Sequence, residues 1–300
     1  MAEFEMQREA VEPPSNPIGL DGIEYVEYTT SKPQALGDVL EKMGFRPVAR
    51  HRSREVLLYR QGDMNIVVNA SPGIVQGARP PVETPYISAL ALRVRDAHAA
   101  YDYMLARGAW EVPMHAQVME LNIPGIHGPG GAHIYFVDRY SEFSIYDIDF
   151  SLIAGVAAHP VAVAGLRFFG VVQYIEMYRT ADWVHFYREL MGFTELPPDQ
   201  RFGILPKGTL MQSPCRRFFL QLIEPVPKGG IGRADELFQR VGLGAPDVPA
   251  AVRELKQRGV EFVELSTTPS EELGAITCSY LGSVMFELVR VPAGMSERPK

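Results

Sequence analysis

RDAHAAYDYMLARGAWEV at residues 95–112 returns in altered form as PDVPAAVRELKQRGVEFV at residues 246–263. Each copy places an aspartate before a helical run, Asp96 and Asp247, and a glycine after it, Gly108 and Gly259. Aspartate accepts the free amide hydrogens of a first helical turn, and glycine tolerates the left-handed backbone that ends one. Three further matches occur in the same order. IEYVEY (23–28) answers VQYIEM (172–177), LEKMGF (40–45) answers RELMGF (188–193), and AHIYFVDR (132–139) answers VMFELVR (284–290), with an offset of 148 to 152 residues. The chain reads as a tandem duplication.

Within each copy the periodicity predicts a strand, a helix and several strands, then the same again. Helix 33–43 sets Leu36, Val39, Leu40 and Met43 on one face, and its counterpart sets Trp183, Phe186, Tyr187 and Leu190 at the same spacing. Gly44 and Gly192 close the two helices. Helices between antiparallel strands, twice per copy, imply an α+β fold of paired βαβββ units. Such units curve into half-open barrels, each a cup able to hold a small molecule. The expected division is a loose leader 1–16, an N-terminal module 17–150, a linker 151–168, a C-terminal module 169–292 and a tail 293–300.

Composition narrows the partners. At 300 residues, 46% hydrophobic and a net charge of −7, the chain is an ordinary globular one without basic runs, which argues against nucleic acid or a membrane surface as partner. The longest apolar run, LIAGVAAHPVAVAGL (152–166), is too short to cross a bilayer and carries His159 and Pro160. Cys215 and Cys278 show no pairing pattern and fit a reducing cytoplasm. A homo-oligomer is compatible with the duplication.

GSVMFELVR (282–290) holds the chemically conspicuous residue. Glu287 sits inside an apolar strand, where a lone carboxylate is costly to bury. Tyr174, Glu176 and Tyr178 alternate along another strand, so they share a face, either the cup or the solvent side. In the cup they would supply an acid–base carboxylate between two phenols. His115, His127 and His133 cluster in a Gly/Pro-rich stretch whose spacing matches no metal motif, and GPGGAH (128–133) precedes a strand and reads as a turn. Cys278 reads as a small buried hydrophobe.

GIEYVEY, MGFRPVARHRSREVLLYRQGDMNIVVN, LALRVRDA, MELNIPGI, GPGGAHIYFVDR and SIYDIDF together resemble the N-terminal half of the 4-hydroxyphenylpyruvate dioxygenase family, within the vicinal oxygen chelate superfamily. FYRELMGF and MFELVR carry a looser resemblance over the catalytic half. The resemblance implies Fe(II) held by two histidines and one glutamate, open to a 2-oxo acid and oxygen. It makes Glu287 the carboxylate ligand. The first histidine position falls on Tyr174, or on Gln173 with a nearby gap, and the second on Arg240. The N-terminal copy has Tyr25 or Glu24, Ala89 and Tyr135 at the equivalent places.

Two of the three ligands are therefore exchanged. The first expectation is a relative with no cofactor, whose C-terminal cup binds a small carboxylic or 2-oxo acid with an aromatic body. Arg240 and Glu287 would pair and hold it with support from Gln173, and Tyr174, Glu176 and Glu287 would be the candidates for any catalysis. Arg240 pointing away or serving only as a structural ion pair is the competing reading. The alternatives for the whole chain are a true dioxygenase using Fe(II) or another divalent metal with altered ligands, and a non-enzymatic binding or assembly module.

Overall fold

The computed structural model describes residues 16–71, 82–113, 121–141, 143–197, 208–225, 235–264 and 274–291. The first half runs β1 (Leu20–Thr29), α1 (Pro33–Lys42), β2 (Arg46–His51), β3 (Val56–Gln61), β4 (Met64–Asn69), β5 (Tyr86–Val94), α2 (Ala97–Leu105), β6 (Gly125–His127), β7 (His133–Val137), α3 (Ile145–Asp149) and β8 (Phe150–Leu152). The second runs β9 (Arg167–Tyr174), α4 (Thr180–His185), β10 (Thr194–Glu195), β11 (Thr209–Gln212), β12 (Phe219–Ile223), β13 (Leu237–Ala245), α5 (Val248–Gln257), β14 (Gly274–Ile276) and β15 (Phe286–Arg290).

The duplication is visible in the pairing. One sheet has the order β6-β7-β5-β1-β4-β3-β2-β8 and the other β10-β11-β12-β9-β13-β15-β14. In each, two βαβββ units meet through an antiparallel pair, β1 with β5 and β9 with β13. On either side the next neighbours are parallel: β4 and β7 in the first sheet, β12 and β15 in the second. Single bridges, Glu111↔Ile126 and Phe262↔Thr277, stand where the second units need one more strand. The sheets are open, with α1, α2, α4 and α5 packed on one face and α3 on the opposite, cup face of the first sheet.

The helix signals act where the residues place them. Asp96 Oδ1 accepts from Ala99 N at 2.9 Å, and Asp247 Oδ1 from Ala250 N at 2.8 Å. Gly108 and Gly259 come after them at φ +88° and +84°. Leu36, Val39, Leu40 and Met43 are buried under α1 as the spacing predicts.

The counterpart helix departs from its predicted stripe. After α4 the chain widens into a π turn over Phe186–Leu190, and Val184, Tyr187 and Met191 become the innermost residues while Trp183 and Phe186 are half-buried. A π turn accommodates an extra residue and rotates the next part of the helix, so the 3.6-residue period breaks at that point. His185 is exposed beside the buried stripe.

The apolar core lies between helices and sheets and draws on both halves, from Leu36 and Met104 to Leu243, Leu255 and Phe286. Burial of this kind is the main favourable term in folding. The segment after β8 is tied to the first half: Gly62 N donates to Pro160 O at 2.8 Å, and Val163 N donates to the buried Gln61 Oε1 at 2.7 Å. At the junction of the halves Gly130 has φ +60°, and a Cβ there would stand 1.6 Å from Glu236 O, so only glycine fits. Among the described residues no helix is long and apolar enough to cross a membrane.

Candidate ligand site in the C-terminal cup

Strand β15 alternates cleanly. Phe286 and Leu288 pack into the helix-side core, while Glu287 and Val289 face the cup. The parallel register sets Glu287 beside Gly242 of β13, two residues from Arg240 on the same face. Arg240 Nε donates to Glu287 Oε2 at 3.0 Å, and both side chains are almost completely buried, at 2% and 4% exposure. Arg240 Nη1 donates to Gln239 Oε1 at 2.8 Å, and Nη2 is buried without a hydrogen-bond partner. A buried guanidinium nitrogen left unpaired is costly, so this donor is the notable polar feature of the cup.

Glycines shape the floor. Gly170 on β9 and Gly242 on β13 lie beside each other, and a Cβ at Gly170 would meet Phe219 O at 2.1 Å. With Val172, Phe219, Gln221 and Glu287 they line a space of about 20 Å³, enough for one water-sized group.

The other candidates separate. Gln173 lies on the opposite face of β9, completely buried, where its Oε1 accepts from Tyr187 Oη at 2.6 Å and its Nε2 has no partner. Burial pushes the Tyr187 phenol far above its ordinary range, with the Glu236 charge adding, so it stays a neutral donor. Tyr174 is half-buried at the end of β9, paired in register with Ile223 and Leu237. Glu176 lies beyond that strand, half-buried, and Tyr178 is 88% exposed at φ +66°. Arg240 and Glu287 are thus brought together, Gln173 is on the other side of the sheet, and Tyr174 and Glu176 stand toward the strand end.

In the first half His127 and His133 have ring centroids 5.5 Å apart, and His115 lies outside the described residues. Burial, reinforced by His127, lowers the His133 pKa to about 4. Cys278 is half-buried, beyond the end of β14. Among the described residues no group of three or more His, Cys, Asp or Glu is disposed to hold a metal.

Residues 15–151 match the family model described as hydroxyphenylpyruvate dioxygenase, HPPD, N-terminal. Over 262 residues the chain is 41% identical to 4-hydroxyphenylpyruvate dioxygenase of Pseudomonas sp. (strain P.J. 874), covering 83% of this chain and 72% of that protein. The chain belongs to the 4-hydroxyphenylpyruvate dioxygenase family. A second family member, from Pseudomonas aeruginosa, is 34% identical over 276 residues, covering 86% of this chain and 75% of its own. The vicinal oxygen chelate fold of the family is equally evident in solved structures. A mutant 4-hydroxymandelate synthase from Streptomyces coelicolor superposes with a TM-score of 0.68 at 16% identity, covering 91% of this chain and 93% of that one. A xylose isomerase-like TIM barrel/4-hydroxyphenylpyruvate dioxygenase fusion protein reaches 0.72 at 22% identity, covering 95% of this chain and 51% of that one.

Reading the sequence missed Tyr187 as the partner of Gln173, and a charged network in the N-terminal cup built on Glu24 and Arg93. The signal was available in the second case: each is a charged residue within an apolar strand, as Glu287 is.

Proposed function

We propose that this member of the 4-hydroxyphenylpyruvate dioxygenase family has lost the iron site of its C-terminal cup and binds there a small carboxylic or 2-oxo acid with an aromatic body. The observation that carries the reading is the Arg240–Glu287 pair, 3.0 Å between Nε and Oε2 and almost completely buried. The residues present do not fit a metal held by two histidines and a carboxylate. A guanidinium is always protonated and offers no lone pair, and it occupies an oxygen of the one suitable carboxylate. Gln173 is turned toward Tyr187 instead. The cation that a metal would supply is supplied by the side chain itself.

Arg240 Nη2 is the group left to receive a ligand. An acid placing one carboxylate oxygen against it satisfies a donor that is otherwise orphaned, and a charge-assisted hydrogen bond of this sort is stronger than a neutral one. Glu287 keeps the guanidinium fork in one orientation. The neighbouring space of about 20 Å³, lined by Glu287 and Gly242 but not by Arg240, holds no more than a water-sized group, so binding requires the guanidinium to reach into it and Phe219 and Leu210 to give way to the ligand's body.

Two measurements on the purified chain test this. After incubation with Fe(II) under nitrogen and desalting, elemental analysis is expected to find no stoichiometric iron. Titration with 4-hydroxyphenylpyruvate is expected to show binding that Arg240→Lys, which keeps the charge but not the fork, weakens at least tenfold. One tightly held iron per chain, lost in Glu287→Gln, would restore the metal-dependent reading and sink this one.

A further inference from the structure

A larger opening lies on the other cup. The concave face of the N-terminal sheet carries a cleft of about 710 Å³, within the range that holds small organic ligands. Three charged side chains project from its floor: Glu24 of β1, Arg60 of β3 and Arg93 of β5, each at most 9% exposed.

Two of the three neutralise each other. Arg93 Nε is bonded directly to Glu24 Oε2, Arg93 Nη2 donates to Asp63 O at 3.2 Å, and the Asp63 carboxylate lies 4.0 Å away at the rim. Burial works against the Arg93 charge, but Glu24 outweighs it and holds the group above its ordinary value. Asp147, the remaining carboxylate of the cleft, accepts from Ser144 N and Oγ at 2.8 and 2.9 Å and caps α3.

Arg60 is left without a counter-charge. Its Nε donates to Asn65 Oδ1 at 2.7 Å, its Nη1 donates to Ala158 O at 2.9 Å, and His159 Nδ1 lies 3.4 Å from Nη1. None of these partners carries a negative charge, Glu24 and Asp147 act on the guanidinium only through space, and no carboxylate is within ion-pair distance among the described residues. Burial accordingly pulls the guanidinium below its ordinary value. An unpaired buried cation is expensive, and fold stability alone gives no reason to keep one facing a cleft.

Aromatic rings set the shape beside it. Tyr146 places its ring 5.2 Å from the Arg60 guanidinium carbon, Tyr140 lies 5.7 Å from that of Arg93, and Phe150 packs edge-on to Tyr146 at 5.7 Å. The wall therefore offers the buried Arg60 charge beside flat apolar surface, with the exposed Arg52, bonded to the Phe150 and Asp147 carbonyls, as a second cation of the lining, which matches an anion with a planar body better than inorganic phosphate.

We infer that the N-terminal cup is a second ligand site, in which Arg60 binds the carboxylate of a small aromatic monoacid between Tyr140 and Tyr146. This is independent of the reading of the C-terminal cup. Arg93 and Glu24 form the fixed floor, and Asn65 locks the Arg60 side chain through Nε, leaving the outer edge of the guanidinium for the ligand.

Calorimetric titration of the full chain with benzoate tests it, with benzamide as the uncharged isostere. Benzoate is expected to bind and benzamide to bind at least tenfold more weakly. Because benzoate also belongs to the class proposed for the C-terminal cup, the titration is repeated in Arg240→Lys: a benzoate site is expected to survive there, and adding Arg60→Met is expected to weaken it at least tenfold. Ser141→Trp narrows the mouth at an exposed lining position and, in the same background, is expected to abolish binding without touching Arg60. That variant decides the matter if circular dichroism shows Arg60→Met to be unfolded. Absence of benzoate binding to the wild type, or benzoate binding to Arg240→Lys left unchanged by a folded Arg60→Met or by Ser141→Trp, overturns the inference. Loss in Arg240→Lys alone would assign the acid to the C-terminal cup and overturn it equally.

Discussion

Breaking the Arg240–Glu287 pair one side at a time should cost far more than removing it whole. Both side chains are nearly sealed from solvent, at 2% and 4% exposure, so either charge left alone has neither water nor partner. Truncating one member of such a pair costs about 3–5 kcal/mol, while replacing both by apolar groups of similar size is often neutral or stabilising. Arg240→Met and Glu287→Leu are therefore each expected to lower stability by roughly 4 kcal/mol. At about 3 °C per kcal/mol for a chain of this class, that is about 12 °C in melting temperature. The double variant should melt above either single one, because Phe219 and Val289 already supply apolar neighbours on that face. Gln239, which loses its bond from Arg240 Nη1, is half-buried and can turn to water. Scanning calorimetry on the three variants and the wild type is the assay. A double variant as damaged as the sum of the two single ones would show that the groups act separately and would refute the argument.

Three other outcomes are expected from the same structure. His133 is neutral when folded, its pKa held near 4 by burial and then by His127, against about 6.5 unfolded. The unfolded chain thus binds more protons between those values, and stability rises with pH across that window. Relative to His133→Phe, the wild type should lose up to about 3 kcal/mol between pH 7 and pH 4; parallel pH curves for the two would dismiss the assignment. Gly130→Ala forces a Cβ against Glu236 O at a backbone φ of +60°, and is expected to lower the melting temperature and separate one calorimetric transition into two; an unaltered single transition would show that the junction does not need this contact. Tyr187→Phe strips Gln173 of the donor to its Oε1 while its Nε2 is already unpaired, which should cost about 1–3 kcal/mol in urea titration, and a shift within error would mean the bond contributes little.

What the residues disclosed in advance depended on range. Aspartate and glycine at the helix ends act within four residues of the backbone they cap, so Asp96, Gly108, Asp247 and Gly259 could be read directly. The pairing of β1 with β5 and β9 with β13 came from the duplication, not from any local signal. The π turn at Phe186–Leu190 was not legible, because its extra residue leaves the composition of the helix unchanged and only rotates its stripe. The choice between Gln173 and Tyr174 turned on strand alternation, and β13 carries a register shift between Phe238 and Arg240 opposite those very positions. The Glu24–Arg93 pair spans 69 residues, and nothing in either strand alone announces the partner.

The two buried pairs are also placed differently in otherwise matching sheets. Glu24 and Arg93 join the antiparallel strands β1 and β5, whereas Arg240 and Glu287 join the parallel strands β13 and β15. A tandem duplication is exposed to exchange between its copies during folding, since each strand meets a near-equivalent docking edge in the other half. Should β15 settle against β5 instead of β13, Glu287 would find Ala89 where Arg240 stands, and an unanswered carboxylate would be sealed in the sheet at a cost of several kcal/mol. A one-residue slip is punished in the same way, since it turns the carboxylate toward Val241 and Leu243 in the core. Charge placed on different strands thus lets a chain made of two similar halves tell them apart as it assembles.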